Sequence, residues 1–173
     1  MNLNGLDLRA GNNIRNMYWD MTGLIFGLEE FPELRGPVMA QLAFLAEHLR
    51  AGQREDGVLW FRFKAPGVPD AECHQSIDGA ATGGALAGWA AMYDATGDPR
   101  WMGCLRKAIG YAVRHQYPGN DHPGFAGAFK YAGWIEQGGW RYEMLRGVAT
   151  AFTVRALVEL LEGRKRWARE YWR

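Results

Sequence analysis

Asp78–Gln116 reads DGAATGGALAGWAAMYDATGD and then PRWMGCLRKAIGYAVRHQ, and the contrast between these two halves decides the fold. The first half is almost free of charge until Asp94 and is built from Gly, Ala, Leu, Trp and Met. The second spreads Arg and Lys around an apolar stripe. A helix that is apolar on every side must be buried on every side, whereas an amphipathic helix covers it from outside. Pro99 suits the first turn of the second helix, and the turn DATGD (Asp94–Asp98) separates the pair. Gly83, Gly84, Ala85, Ala87 and Gly88 leave room for inner helices to approach closely. The stretch is therefore a helical hairpin with an inner and an outer member.

The same organisation flanks it. Upstream, MYWDMTGLIFGLEEF (Met17–Phe31), in a helix opening near Asn16, is the small apolar member. It is followed by GPVMAQLAFLAEHLRAG (Gly36–Gly52), where Val38, Leu42, Leu45 and Leu49 form one stripe, with Pro37 in the first turn and Gly52 as the stop. Downstream, EMLRGVATAFTVRALVELLEG (Glu143–Gly163) precedes RKRWAREYWR (Arg164–Arg173). Thr22-Gly23 aligns with Thr82-Gly83 at a spacing of 82 − 22 = 60 residues, and Thr82 with Thr150 at 150 − 82 = 68. Residues 53–77 and 115–142 read as polar, aromatic, Gly/Pro-rich loops with no evident strand pattern, and loops of about 25 residues are usually functional. The expectation is an all-α chain of three helical hairpins in two layers, with residues 1–173 forming a single domain.

A chain of 173 residues and 19.5 kDa suits one core burying roughly 70% of its unfolded surface. Twenty Lys+Arg against 19 Asp+Glu leave a formal charge of +1, which removes the electrostatic case for nucleic acid. No run approaches the ~20 apolar residues of a membrane span, so no membrane partner is expected. The opening MNLNGLDLRAGNN lacks the basic and apolar regions of a signal peptide. Two cysteines, Cys73 and Cys104, give no disulfide framework and fit a reducing compartment, so a cytoplasmic location is expected. Eight Trp beside 23 Gly fit aromatic-lined cavities with glycine at close helix contacts.

Asp20, Asp78 and Glu143 each read as lying at, or a few residues before, the start of an inner helix. Carboxylates gathered in this way do general acid/base work when their environments split their pKa values. The competing reading is that each merely caps exposed N–H groups and complements the helix dipole. His74, in ECHQSID (Glu72–Asp78), is an acid/base or substrate-contact candidate. A metal is not expected there, since adjacent Cys73 and His74 rarely reach one ion and no second ligand pair exists. GWIEQGGWRYEMLRG gathers Trp134, Glu136, Trp140, Arg141, Glu143 and Arg146. Aromatic faces flanked by Arg and carboxylates suit a sugar, and Arg141 or Arg146 suits a carboxylate on it. The plainer alternative is that these aromatics roof a core and the charges pair among themselves. The same ambiguity applies to Trp60–Phe63. His115, Asp121 and His122 read as loop residues, Lys107 and Arg114 as a solvated helix face, and Cys104 as a small buried hydrophobe.

Three stretches carry a resemblance to the α/α-toroid superfamily: WDMTGLIFGL (Trp19–Leu28), QREDGVLWFRF (Gln53–Phe63) and ATGDPRW (Ala95–Trp101). Within it, Trp19-Asp20 and the turn Asp56, Gly57, Trp60 are similar to those of six-hairpin unsaturated glucuronyl and rhamnogalacturonyl hydrolases. The resemblance implies half an (α/α) toroid, with Asp20 and Asp78 at positions comparable to catalytic aspartates, joined here by Glu143 and His74. It implies a hydrolase or lyase of uronic-acid-containing glycans, with Trp19, Trp60, Trp134, Trp140, Arg141, Arg146 and Glu136 in substrate binding and no metal or other cofactor. Gln53, Gly57 and Trp60 also resemble the Gln–Trp motif of terpenoid cyclases, though their acidic catalytic run is missing. Cys73-His74 is similar to the zinc-binding pair of lanthionine synthetase cyclases, though no Gly follows His74. A non-catalytic binding or assembly module on the same scaffold is the remaining alternative. Half a ring leaves apolar inner helices unpartnered, so a homodimer binding a carbohydrate or other small molecule is expected.

Overall fold

A computed structural model describes residues 14–60, 76–120, 123–136, 139–145 and 147–162. Helix α1 (Ile14–Glu30) leads through a 3-10 turn at Pro32–Leu34 into α2 (Arg35–Ala51), and the pair forms the first hairpin. Strands β1 (Leu59–Trp60) and β2 (Ser76–Asp78) precede α3 (Gly79–Thr96), which pairs with α4 (Pro99–Arg114) as the second hairpin. A 3-10 turn at Pro123–Phe125 and strands β3 (Lys130–Glu136) and β4 (Gly139–Leu145) lead to α5 (Gly147–Glu162), the inner helix of a third. The segment Arg164–Arg173, expected to be its outer partner, lies outside the described residues.

Helix α3 is the centre. It packs against α1 on one side and α5 on the other, with α2 and α4 also laid against it. Trp89 is wholly buried and its indole Nε1 donates to the Ala46 carbonyl of α2 at 3.1 Å. Leu42, Leu45 and Leu49 of α2 and Trp101 and Leu105 of α4 close the same core, together with Met21 and Ile25 of α1. Close approach depends on glycine. A Cβ on Gly83 would lie 2.5 Å from Thr153 Oγ1 of α5, and one on Gly88 would collide with the Met21 side chain of α1. The two-layer arrangement of inner and outer helices thus follows from the charge-free composition of α3.

The hairpin turn is closed by its own sequence. Asp98 Oδ1 accepts the Arg100 N–H at 3.0 Å as the N-cap of α4, and Pro99 takes the first helical position. Gly97 turns the chain with φ +67°. The exposed Arg100 bridges Asp98 at 2.8 Å and Glu47 of α2 at 3.5 Å, contacts worth only about 0–1 kcal/mol at the surface.

Three expectations need correction. The connecting segments carry a four-stranded antiparallel sheet in the order β1-β2-β3-β4 beside the helical body, where no strand pattern was expected. KYAGWIE and GWRYEML, separated by Gln137-Gly138, have the aromatic-rich composition and short Gly-containing connection of a hairpin. Glu143 accordingly belongs to β4, and the third inner helix starts at Gly147 rather than at Glu143. Asp20 is the seventh residue of α1, one turn beyond any N-cap position, so capping does not account for it.

Unequal costs are expected for two glycine replacements on α3. Gly83→Ala presses its methyl against the Thr153 backbone, with N at 2.9 Å and Cα at 3.1 Å, and should lower stability by about 2 kcal/mol. Gly88→Ala meets only the flexible end of Met21 and gains up to about 1 kcal/mol of helix propensity, so its urea midpoint should stay closer to wild type.

Candidate functional site

The sheet is held to the starts of the inner helices by a clasp that occurs twice. Gln53, just after α2, donates its Nε2 to the Gly57 carbonyl at 3.1 Å and to the Cys104 carbonyl of α4 at 3.0 Å. Gly57 has φ +102°, and an added Cβ would collide with the Lys107 carbonyl. Arg54 pairs with Asp56 at 3.1 Å and lies 4.5 Å from the centroid of Trp60. The Leu59 N–H then donates to Oγ1 of the buried Thr82, the fourth residue of α3, at 2.9 Å. After α4, Gln116 donates its Nε2 to the Gly127 carbonyl at 2.8 Å, and Gly127 has φ +84°. The Phe129 N–H donates to Thr150 Oγ1, on the fourth residue of α5, at 3.0 Å. Gln53 bridges to Leu59 as Gln116 does to Phe129.

The Thr82–Thr150 alignment therefore marks a real structural repeat, while Thr22 lies in the middle of α1. Gln116, Gly127 and Phe129 escaped the sequence reading, because Gly57 follows Gln53 by four residues and Gly127 follows Gln116 by eleven. The recoverable signal was a glutamine after each outer helix paired with a threonine on the fourth residue of the next inner helix.

Beyond the clasp, the ladder register gathers most of the expected site residues. One cross-strand row holds Leu59, Asp78, Ala132 and Met144; the next holds Trp60, Ile77, Gly133 and Glu143; a third holds Ser76, Trp134 and Tyr142. Asp78 and Glu143 thus fall in neighbouring rows, two strands apart. Trp140 pairs with Ile135 and Glu136 with Gly139. The register slips between Trp134 and Ile135, leaving Arg141 as the extra residue of a bulge. Asp78 immediately precedes α3, and β3 packs against both α3 and α5. Asp20 is half-buried on α1, away from the sheet strands in sequence, and Trp19 precedes it in the same helix. His74 and Arg146, like Cys73 and Phe61–Phe63, lie outside the described residues.

Among the described residues, clefts of about 10 Å³, each with room for one water, flank the inner helices at two places. One is lined by His115, Tyr111, Thr82 and Phe129; the His115 ring is tilted by 31° against Tyr111 with ring centroids 4.4 Å apart. The other brings Arg155 of α5 beside Thr22 of α1 and Gly84 of α3, a cation on an inner helix that the sequence reading had not singled out. Neither approaches the size of a saccharide pocket. Burial pushes the Cys104 thiol above its usual pKa and holds the His48 imidazole below its own, and both sit on outer helices. Among the described residues no three His, Cys, Asp or Glu side chains converge as a metal site, and no helix is long and apolar enough to cross a membrane.

Paired inner and outer helices with long connections at the inner-helix starts define the class, an α/α-hairpin fold of toroid type that solved structures share. A possible member of the GH105 family from Salmonella enterica has this fold at TM-score 0.66 and 18% identity, over 93% of this chain and 43% of that one. A possible GH105 member from Klebsiella pneumoniae matches at 0.65 and 18% identity, over 94% and 42%. An unsaturated glucuronyl hydrolase from a Bacillus species, responsible for the degradation of glycosaminoglycan, matches at 0.57 and 19% identity, over 88% and 40%. The chain spans about two fifths of the length of these structures. No family model matches the sequence, and no curated protein does.

Replacing the clasp hydroxyl tests its weight. Thr82→Val leaves the Leu59 amide without its acceptor in a buried site and should cost about 1–3 kcal/mol in denaturant unfolding. Thr82→Ser keeps the acceptor and should recover most of that loss.

Proposed function

We propose that this chain supplies part of a carbohydrate-active α/α-toroid enzyme, a hydrolase or lyase acting on uronic-acid-containing glycans. The observation that carries the reading is the position of Asp78, the last residue of β2, directly before inner helix α3, in a sheet whose strands β2 and β4 lead into α3 and α5. Trp60, Trp134 and Trp140 lie in the same sheet, and the bulge at Arg141 is of the kind that re-aims a side chain beside active sites. In this reading Asp20 on α1 and Asp78 divide general acid and base duties, with Glu143 and His74 as further candidates. The tryptophans stack on sugar rings, Glu136 accepts sugar hydroxyls, and Arg141 or Arg146 holds the uronate carboxylate as a bidentate pair. The fold shared with the glycosaminoglycan-degrading hydrolase supports the choice of substrate class. The two clefts described between the helices are too small for a sugar, and in this reading the glycan lies on the sheet side.

The test is turnover of unsaturated uronyl oligosaccharides, followed by loss of the ultraviolet absorbance of the conjugated uronate, alongside intact uronate polymers. Asp78→Asn should lower kcat by at least about 100-fold while leaving the far-ultraviolet circular dichroism unchanged. Unchanged kcat in Asp78→Asn would remove that residue from the chemistry. Calorimetric binding of the same oligosaccharides without turnover by wild type would replace the enzyme by a binding module.

A further inference from the structure

We infer that two copies of this chain join edge to edge, α5 of each packing on α1 of the other. The open flank of α5 is apolar. Ala151, Val154, Val158 and Leu161 recur at i, i+3, i+7 and i+10, and Val154, Val158 and Leu161 are 44%, 43% and 86% exposed. Helical geometry sets this stripe opposite Thr153 and Ala156, which are buried on the α3 side. On α1, the side away from the buried Met21 and Ile25 carries Gly23 and Gly27, four residues apart. Among the described residues, nothing lies within 4 Å of where either Cβ would stand.

The two inner seams inside the chain show what such a notch receives. Gly88 of α3 takes Met21 of α1, and Gly83 of α3 takes Thr153 of α5, so each seam is a glycine facing a side chain of the neighbouring inner helix. Among the described residues, Gly23 and Gly27 repeat that device with nothing in it, and the α5 stripe supplies side chains that remain part-exposed. A second copy satisfies both at once, because α5 on α1 implies α1 on α5 under a two-fold axis. Helices of 16 and 17 residues are about 25 Å long and 10 Å across, so two such seams hide roughly 1,000 Å² in all, the threshold for a specific interface. Two copies would also account for 2 × 43 = 86% of the length of the Salmonella enterica chain, whose fold this chain shares.

Light scattering over a dilution series gives the test, with no need for any catalytic activity. The expected mass is twice the 19.5 kDa chain, stable to low micromolar concentration. Val154→Glu combined with Val158→Glu should give the monomer with unchanged circular dichroism, and Gly23→Leu should do so from the opposite edge. Val113→Glu, at a 64% exposed position on α4, should leave the mass doubled. A wild-type monomer at about 100 µM, a mass that keeps growing with concentration, or a dimer that survives both edge variants would each overturn the proposal. If the α5 variant does not fold, Gly23→Leu alone decides, since open space surrounds that position.

Discussion

Helix α3 has no side for water. From Gly79 to Tyr93 it carries no charged residue, and burial is nearly continuous from Ala81 to Met92. Burying it on one flank would leave apolar surface exposed on the other, at a cost of about 25 cal/mol for every Å². The remaining helices are arranged around that constraint: α1 and α5 beside it, α2 and α4 against it. The glycines follow from it as well, since a helix enclosed on several sides has neighbours at backbone distance.

Enclosure of one helix also dictates where the chain can be irregular. A connection from an outer helix to the next inner one must return to the inner-helix start, and its backbone groups need partners there. The clasp meets that need twice. A glutamine side chain ties the connection to itself, and in the first case also to the Cys104 carbonyl of α4. A threonine hydroxyl inside the first turns of the next helix then accepts the amide of Leu59, the first residue of β1, or of Phe129, just before β3. The connections are therefore fixed at their roots, which is how long segments present side chains from a defined place.

The helical hairpins were legible because burial writes itself into composition: ATGGALAGWAAM against LRKAIGYAVR cannot be exchanged without exposing one or burying the other. The Asp98-Pro99 start was legible because its chemistry is local. The strands were not, because Trp134, Glu136, Trp140 and Arg141 read equally well as an aromatic binding loop, and two register slips blur the alternation that would mark a sheet. Glu143 was drawn into the helix by its nearness to the apolar run that follows. Asp20 was assigned to a helix start from its likeness to a motif, whereas α1 begins at Ile14 with no acidic residue in its first turn to announce it. Gln53, Gly57 and Trp60 were legible as a motif but not as a clasp. Gln53's partners at Gly57 and Cys104 are four and 51 residues away, and the second of these distances leaves no mark on a sequence.

The same constraint that organises α3 leaves its two neighbours half satisfied. Helix α1 meets α3 through Met21 and Ile25 but turns Gly23 and Gly27 outward, and α5 meets α3 through Thr153 and Ala156 but turns Val154, Val158 and Leu161 outward. Glycine in the middle of a helix costs about 0.5–1 kcal/mol relative to alanine, and exposed valine and leucine forgo the transfer energy of burial. A helix facing water on that side has no use for either. Both are explained when the flank is a seam, because a seam between inner helices is built here from a glycine on one and a side chain on the other. The residues that set the arc of three inner helices therefore also define how the arc continues.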